Sequence, residues 1–302
     1  MAPTLNIIGA GRLGRVLGRL FAASGAFVVQ DVLTRSTCSA LEAVDFIGAG
    51  RAVGSMHALR RADAVMLAVG DDQIEPACAA LAASAACVLD GVLVFHCSGA
   101  LSAAVLHAAA RQGALTASVH PVRSFADPQQ VARDFAGTWC GLEGDARALA
   151  LLAPALAAIG ACPVPIDAAA KTVYHAASVF ASNYLVTLLD TALRAYQAAG
   201  IPEQVARELA RPLAAETLDN VFRLGPRAAL CGPIARGDFA TVARQQAALD
   251  GWDAQAGRLY RALADATSAL ATVPMPAVLP IAAISPIAPI PPLPDLKDTA
   301  CT

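Results

Sequence analysis

A short apolar run that stops at glycine and passes directly into an amphipathic segment constrains this chain most: Leu5-Asn6-Ile7-Ile8-Gly9-Ala10-Gly11-Arg12-Leu13-Gly14. It reads as strand, tight turn and helix. Gly9, Gly11 and Gly14 form a GxGxxG set, in which the first glycine permits the turn, the second lets backbone N–H groups approach a pyrophosphate, and the third lets helix pack close to strand. The helix N-terminus adds unpaired N–H donors and partial positive charge. Leu13, Leu17, Leu20 and Phe21 recur at helical spacing, and Ser24-Gly25 ends the helix. The turn Gly9, Ala10, Gly11, Arg12, Leu13, Gly14 is therefore expected to bind a dinucleotide. A second glycine set, Gly48 to Gly54, is one residue too long and has no apolar strand leading into it, so it reads as a loop.

Strand and helix patterns then alternate. Phe27 to Thr34 reads as a strand, Thr37 to Ile47 as a helix, and Ala64 to Val69 as a strand buried on both faces and stopped by Gly70-Asp71-Asp72, with Asp72 placed to cap the next helix. Val92 to Phe95 runs into His96-Cys97-Ser98-Gly99, a helix follows from about Leu101, and Leu115 to Val119 runs into His120-Pro121. A last stretch gives strand Thr138 to Leu142, helix Ala146 to Ile159 and strand Cys162 to Ile166. The expected fold class is α/β: a Rossmann-type doubly wound parallel sheet, whose ligands sit at the carboxyl ends of its strands. From Ala168 strand patterns vanish, and Ala168 to Ala199, Pro202 to Leu224 and Phe239 to Ala271 read as long helices. The expected division is a dinucleotide-binding domain over 1–166, an all-helical domain over 167–272 and a proline-rich, extended tail over 273–302.

At 302 residues and 56% hydrophobic content the chain has enough material for two cores, and its net charge of −2, with scattered arginines, offers no footprint for nucleic acid. Eight cysteines show no CxxC pair and no histidines at zinc-ligand spacing, so no metal site is expected and the thiols fit a reducing cytoplasm. The start lacks the regions of a signal peptide. The most membrane-like window, Ala148 to Ile166, is interrupted by Pro154, Gly160, Pro163 and Pro165 and reads as helix followed by buried strand, so no membrane partner is expected.

Cofactor choice turns on the end of the second strand, where an acid would accept from a ribose 2′-hydroxyl and an arginine would meet a 2′-phosphate. Asp31 falls inside the strand, because Val32 and Leu33 continue it; Arg35, between Thr34 and Ser36, falls at its end and favours NADP(H). Val69, closing its apolar run, is placed at the same crevice. His96 and His120 each end an apolar strand; His120 before Pro121 reads equally as a turn-fixing residue, whereas His96, followed by Ser98 and Gly99, reads as part of a pocket in which Ser98 reaches nicotinamide or substrate. On the first helix of the second domain, Lys171, Tyr174, His175, Ser178 and Ser182 fall within roughly a third of the circumference. That stripe reads either as a solvated face or, having no acidic partners, as one wall of an active site with His175 or Lys171 as proton donor. Asn183 sits off it. Gly232-Pro233-Ile234-Ala235-Arg236-Gly237-Asp238 reads as a turn with a capping Asp238 or as a closing loop.

HCSGALS at His96 to Ser102, HPVRSF at His120 to Phe125, YHAASVFASNYL at Tyr174 to Leu185 and GPIARGD, in that order behind the glycine turn, resemble the bacterial proteins that pair a Rossmann-like domain with a C-terminal domain of unknown function 2520. Those proteins look like relatives of the pyrroline-5-carboxylate reductase and 6-phosphogluconate dehydrogenase superfamily. The resemblance implies a dimerising helical domain and NADP-dependent oxidoreduction, and it leaves the substrate unnamed; the expectation adopted is a small carbonyl, imine or hydroxy compound at the cleft between the domains. Two departures stand out: Lys171 is followed one turn later by His175 where 6-phosphogluconate and 3-hydroxyisobutyrate dehydrogenases pair lysine with asparagine, and Gln245-Gln246 stands where the family pattern has histidine. The rival reading is a non-catalytic NADP-binding sensor or regulatory protein.

Overall fold

A computed structural model describes residues 1–84 and 88–272; the proline-rich tail expected from 273 lies outside the described residues. The backbone divides into two compact units, Met1–Leu185 and the chain from Val186 onward.

In the first unit the order is β1 (Thr4–Ile8), α1 (Arg12–Ser24), β2 (Val28–Leu33), α2 (Thr37–Ile47), β3 (Arg51–Val53), β4 (Ala64–Leu67), α3 (Asp71–Ala83), β5 (Leu93–His96), α4 (His107–Ala110), β6 (Leu115–Pro121), α5 (Pro128–Arg133), β7 (Trp139–Gly144), α6 (Ala146–Ala158) and β8 (Cys162–Pro165). α7 (Lys171–Ala181) and the start of α8 (Asn183–Ala198) complete it. The strands form one eight-stranded sheet in the order β3-β2-β1-β4-β5-β6-β7-β8.

Side-chain alternation along the strands builds two cores, one on each face of the sheet. Leu5, Ile7, Ala64, Met66, Leu93 and Phe95 join Leu17 and Phe21 of α1 and Leu152 and Leu156 of α6 on one face. Ile8, Val65, Leu67 and Val94 join Ile74, Cys78 and Leu81 of α3 and Ala109 of α4 on the other. This double burial is why these strands read as continuous apolar runs.

Three features of the first unit depart from the sequence reading. The Gly48–Gly54 segment contains β3, a strand of three residues paired parallel to β2. β7 pairs antiparallel to β6, while the other pairs are parallel. The link from β6 to β7 holds only the six-residue α5 instead of a full crossover helix, and the chain returns antiparallel. The helical segment from Ala168 opens with a 3₁₀ turn and breaks at Ser182, whose backbone (φ −126°, ψ −71°) is not helical.

β8 forms one edge of the sheet. The amides of Cys162 and Ile166 donate inward to Thr138 and Leu142, so Pro163 and Pro165 occupy the positions whose N–H would face outward.

In the second unit, α8 continues and is followed by α9 (Glu203–Leu224), α10 (Pro226–Ala229), α11 (Phe239–Trp252) and α12 (Ala254–Ala271). The expected single helix from Phe239 is thus divided at Asp253, whose carboxylate accepts from the amides of Gln255 and Ala256 and starts α12. Gln246, of the Gln245-Gln246 pair, is buried and donates to Asp250 and to the Gly257 carbonyl, clamping α11 to α12. GPIARGD is a turn, and Asp238 caps α11 by accepting from the Thr241 amide at 3.1 Å.

Candidate active site

The three glycines of the first turn do three different jobs. Gly9 has φ +85°, donates to the Leu33 carbonyl at 2.8 Å, and faces the β4 exit so closely that a Cβ there would lie 2.6 Å from the Ala68 oxygen. Gly14 would meet the Gly9 oxygen at 2.7 Å, which fixes helix against strand. Gly11 has nothing within 4 Å of where its Cβ would be, so the space over the α1 N-terminus is open. No side chain caps that terminus and no acid lies in its first turn, which leaves the helix-end donors to an anion.

A cleft of about 980 Å³ opens at this turn. Of the residues expected to hold a cofactor, Gly9, Ala10, Gly11, Thr34, Arg35 and Val69 line it. Arg12, Leu13, Gly14, Ser36 and Ser98 are outside this lining: Leu13 packs on the core, and Ser36 caps α2 by accepting from the Ser39 amide. Arg15, Ser39, Gly54, Ser55 and Met56 also line the cleft and escaped the sequence reading. Gly54 to Met56 follow β3, which was too short to read, and Arg15 is placed only when α1 is built; its Nε donates to the Ala10 carbonyl at 3.3 Å.

Asp31 is fully buried and carries ion pairs with Arg51 at 3.0 Å and Arg60 at 2.8 Å. Burial pushes its carboxyl upward, but the hydrogen bonds from the Arg60 side chain and backbone and from Arg51 outweigh this and hold it below the ordinary range. Its oxygens are therefore committed within the fold, and Arg35 is the charged side chain that the β2 exit presents to the cleft.

A second polar group lies further along the same carboxyl edge. Sheet register sets His96, Ser118 and Glu143 in one row across β5, β6 and β7, and His120 opposite Gly141 beyond it. α7 lies over these rows. Lys171, 1% exposed, donates to Glu143 at 2.9 Å and to the Ser118 hydroxyl. Glu143 also accepts from the Ala103 amide at 2.8 Å. Burial drives the Lys171 ammonium below its ordinary pKa, and Glu143 opposes that shift. The stripe on α7 is thus turned onto the sheet at Lys171, Tyr174 and His175, and the solvated-face alternative gives way there; Ser182, at the break, is exposed.

Tyr174 and His120 are joined at 2.9 Å through the phenol oxygen and Nδ1, with rings edge to face. His175 packs its ring against His120, centroids 5.5 Å apart. Burial, then the cations of neighbouring groups, push the His120 pKa down to about 4, so the ring is neutral at pH 7.

The expectation that His96 belongs to a reactive pocket is corrected. It is 0% exposed, its Nδ1 accepts from the Ser98 amide at 3.1 Å, and its Nε2 lies 3.2 Å from the Ser102 carbonyl, so the proton resides on Nε2 and both nitrogens hold the loop. Ser98 is likewise engaged: its hydroxyl donates to Asp71 at 2.9 Å and accepts from the amides of Ala100 and Leu101. Asp71, Ser118 and Glu143 are the members of this network that the sequence reading missed; all three acquire a role only through partners distant in sequence. Asp72 does not cap α3, whose N-cap is Gly70.

A family model for Rossmann-like domains matches residues 3–121, and the model for a domain of unknown function, DUF2520, matches residues 138–267. The chain thus carries a Rossmann-like domain followed by a DUF2520 domain. Among solved structures, the chain is similar to protein TM1727 from Thermotoga maritima, at 25% identity over 89% of this chain and 98% of that chain, with TM-score 0.66. It is also similar to an imine reductase from Myxococcus stipitatus in complex with NADP+, at 20% identity over 89% of this chain and 93% of that one, with TM-score 0.59. A pyrroline carboxylate reductase from Plasmodium falciparum with NADP bound aligns at 13% identity over 89% and 98% of the two chains, with TM-score 0.57. At 20% and 13% these last two likenesses speak for the fold. No curated protein matches the chain.

Proposed function

We propose that the chain is an NADP(H)-dependent oxidoreductase acting on a small carbonyl, imine or hydroxy compound. The observation that carries this reading is the placement, on the carboxyl edge of one sheet, of an anion-receptive glycine turn and of a partly buried Tyr174, His120 and His175 group. A dinucleotide with its phosphates at Gly9 to Gly11 runs along that edge, which is the route bound nucleotides take in such sheets. Arg35, with Arg15 beside it, fits a 2′-phosphate, and Asp31 is withdrawn from the ribose. The solved structures with NADP in their descriptions share the fold and support the same cofactor. When bound, the cofactor supplies or takes the hydride; the chain's own residues orient the substrate and manage its proton.

In this reading the group of His120, Tyr174 and His175 lies on the nicotinamide side of the site, while Lys171, His96 and Ser98 position the loops around it. Saturable NADPH binding with NADPH consumption on a panel of cyclic imines, aldehydes and ketones is the expected result. Tight binding with no consumption across the panel favours the sensor reading instead, and absence of binding rejects both.

The assembly belongs to the same proposal. Val173, Phe180 and Phe222 are 76%, 69% and 87% exposed in the single chain, and a second copy covering α7 to α9 would bury them. Free thiols at Cys38, Cys78, Cys97, Cys140, Cys162 and Cys231 support a reducing, cytoplasmic setting.

A further inference from the structure

Two glycines in the site have no conformational need to be glycine. Gly99 and Gly141 both lie outside the positive-φ region, and what constrains them is the side chains above them. A Cβ at Gly99 would lie 2.7 Å from His120 Nε2 and overlap the His175 ring. A Cβ at Gly141 would lie 2.6 Å from the Tyr174 hydroxyl and overlap Ile166. The sheet has thus been pared back at two positions, on β7 and beyond β5, under one set of rings.

The rings themselves are wired in a definite order. Tyr174 meets His120 at Nδ1 over Gly141, and His120 turns its Nε2 toward Gly99, in the loop that follows the carboxyl end of β5. His175 holds the His120 ring from the side.

We propose that His120 is the catalytic proton donor of this site, with Tyr174 as the group that supplies its proton from behind and His175 as a positioning residue. The proposal rests on the oxidoreductase reading above. A bound reduced nicotinamide would supply a hydride to the carbon of a C=O or C=N bond, whose π electrons would move to the heteroatom. That atom takes the proton from His120 Nε2, while Nδ1 takes the phenolic proton of Tyr174. An alkoxide or amide anion is a stronger base than a phenolate, so the transfer runs downhill. When product leaves, Nε2 takes a proton from solvent and Nδ1 returns the phenolic one, restoring both residues. The substrate gains two electrons and two hydrogens, and the cofactor is oxidised. A His120 ring that stays neutral at pH 7 suits a relay between neutral partners.

Two measurements test it on the full chain. In nitrogen-15 NMR of the histidine rings at pH 7 with NADP+ added, the His120 proton is expected on Nε2, and Tyr174→Phe is expected to shift the population toward Nδ1. A wild-type proton on Nδ1, or no change in Tyr174→Phe, overturns the proposal whether or not any substrate turns over. In NADPH consumption on the imine and carbonyl panel, His120→Gln is expected to lower kcat by about 10²–10⁴-fold with NADPH affinity unchanged, and His175→Gln by less than about tenfold. The reverse ranking overturns the proposal while leaving the oxidoreductase reading intact; a wild-type chain that consumes no NADPH overturns that reading, and the NMR then decides the wiring alone.

Discussion

Asp31 and Arg35 stand four residues apart at the end of β2, and the fold uses them in opposite ways. The carboxylate turns inward to Arg51 and Arg60, and the guanidinium faces the cleft. A charge-assisted contact to a phosphate contributes about 1.5–3 kcal/mol. Arg35→Ala should therefore weaken NADPH binding about 10- to 150-fold and leave NADH nearly unchanged, measured by calorimetric titration. Equal binding of the two cofactors by the unmodified chain would reject the assignment. His96 makes a second prediction. Burial first, and the nearby Lys171 second, push its pKa to about 4 from an ordinary 6.5. Between those values the unfolded chain binds a proton that the native state does not, so stability present above pH 6.5 is lost as pH falls toward 4, by up to about 3 kcal/mol. Urea midpoints at pH 7, 5.5 and 4.5 should fall accordingly, and His96→Gln should flatten that slope whatever its effect at pH 7.

At the scale of elements, Lys171 and Glu143 bolt α7 to β7. Removing one partner of a buried pair strands the other charge at a cost of about 3–5 kcal/mol, whereas replacing both with apolar residues is often far milder. Lys171→Met and Glu143→Leu should each lower the urea midpoint more than the double variant does, and an additive double variant would show that the two do not act as a pair. This pairing also marks the limit of what the sequence discloses. β1, the glycine turn and α1 are legible because every constraint on them is local: an apolar run, three glycines and a 3.6-residue period. Lys171 looked unpaired because its partner is 28 residues away on a strand whose antiparallel direction no local pattern encodes. The break at Ser182 carries neither proline nor glycine nearby, and β3 is too short for any periodicity, so both were missed. His120 lay between two readings because its proline neighbour explains a turn as well as a site; Gly99 and Gly141 were the available signal, as glycines that no turn demands.

At the scale of the whole molecule, the exposed apolar side chains of α7 and α9 call for a covering surface. Ala168–Ala198, taken across the break at Ser182, has the length and composition to cross a membrane. A second copy is the expected occupant, because α7 in that stretch also carries Lys171, held on the sheet by Glu143, and cannot leave for a bilayer without stranding that pair. Light scattering at micromolar concentration should give twice the chain mass without detergent. A monomer that sediments with liposomes would reverse this.

Pro163 and Pro165 bear on a different matter, the way the folded chain resists becoming a fibre. A sheet's outer strand normally offers a row of N–H groups on which a stray segment can be templated, and in β8 the outward positions offer none. The far edge, β3, is only three residues long and gives an incoming strand little to hold. Growth by strand addition is thus blocked at one end and starved at the other, so molecules of this chain that meet side by side have their helices, not their sheets, with which to recognise each other.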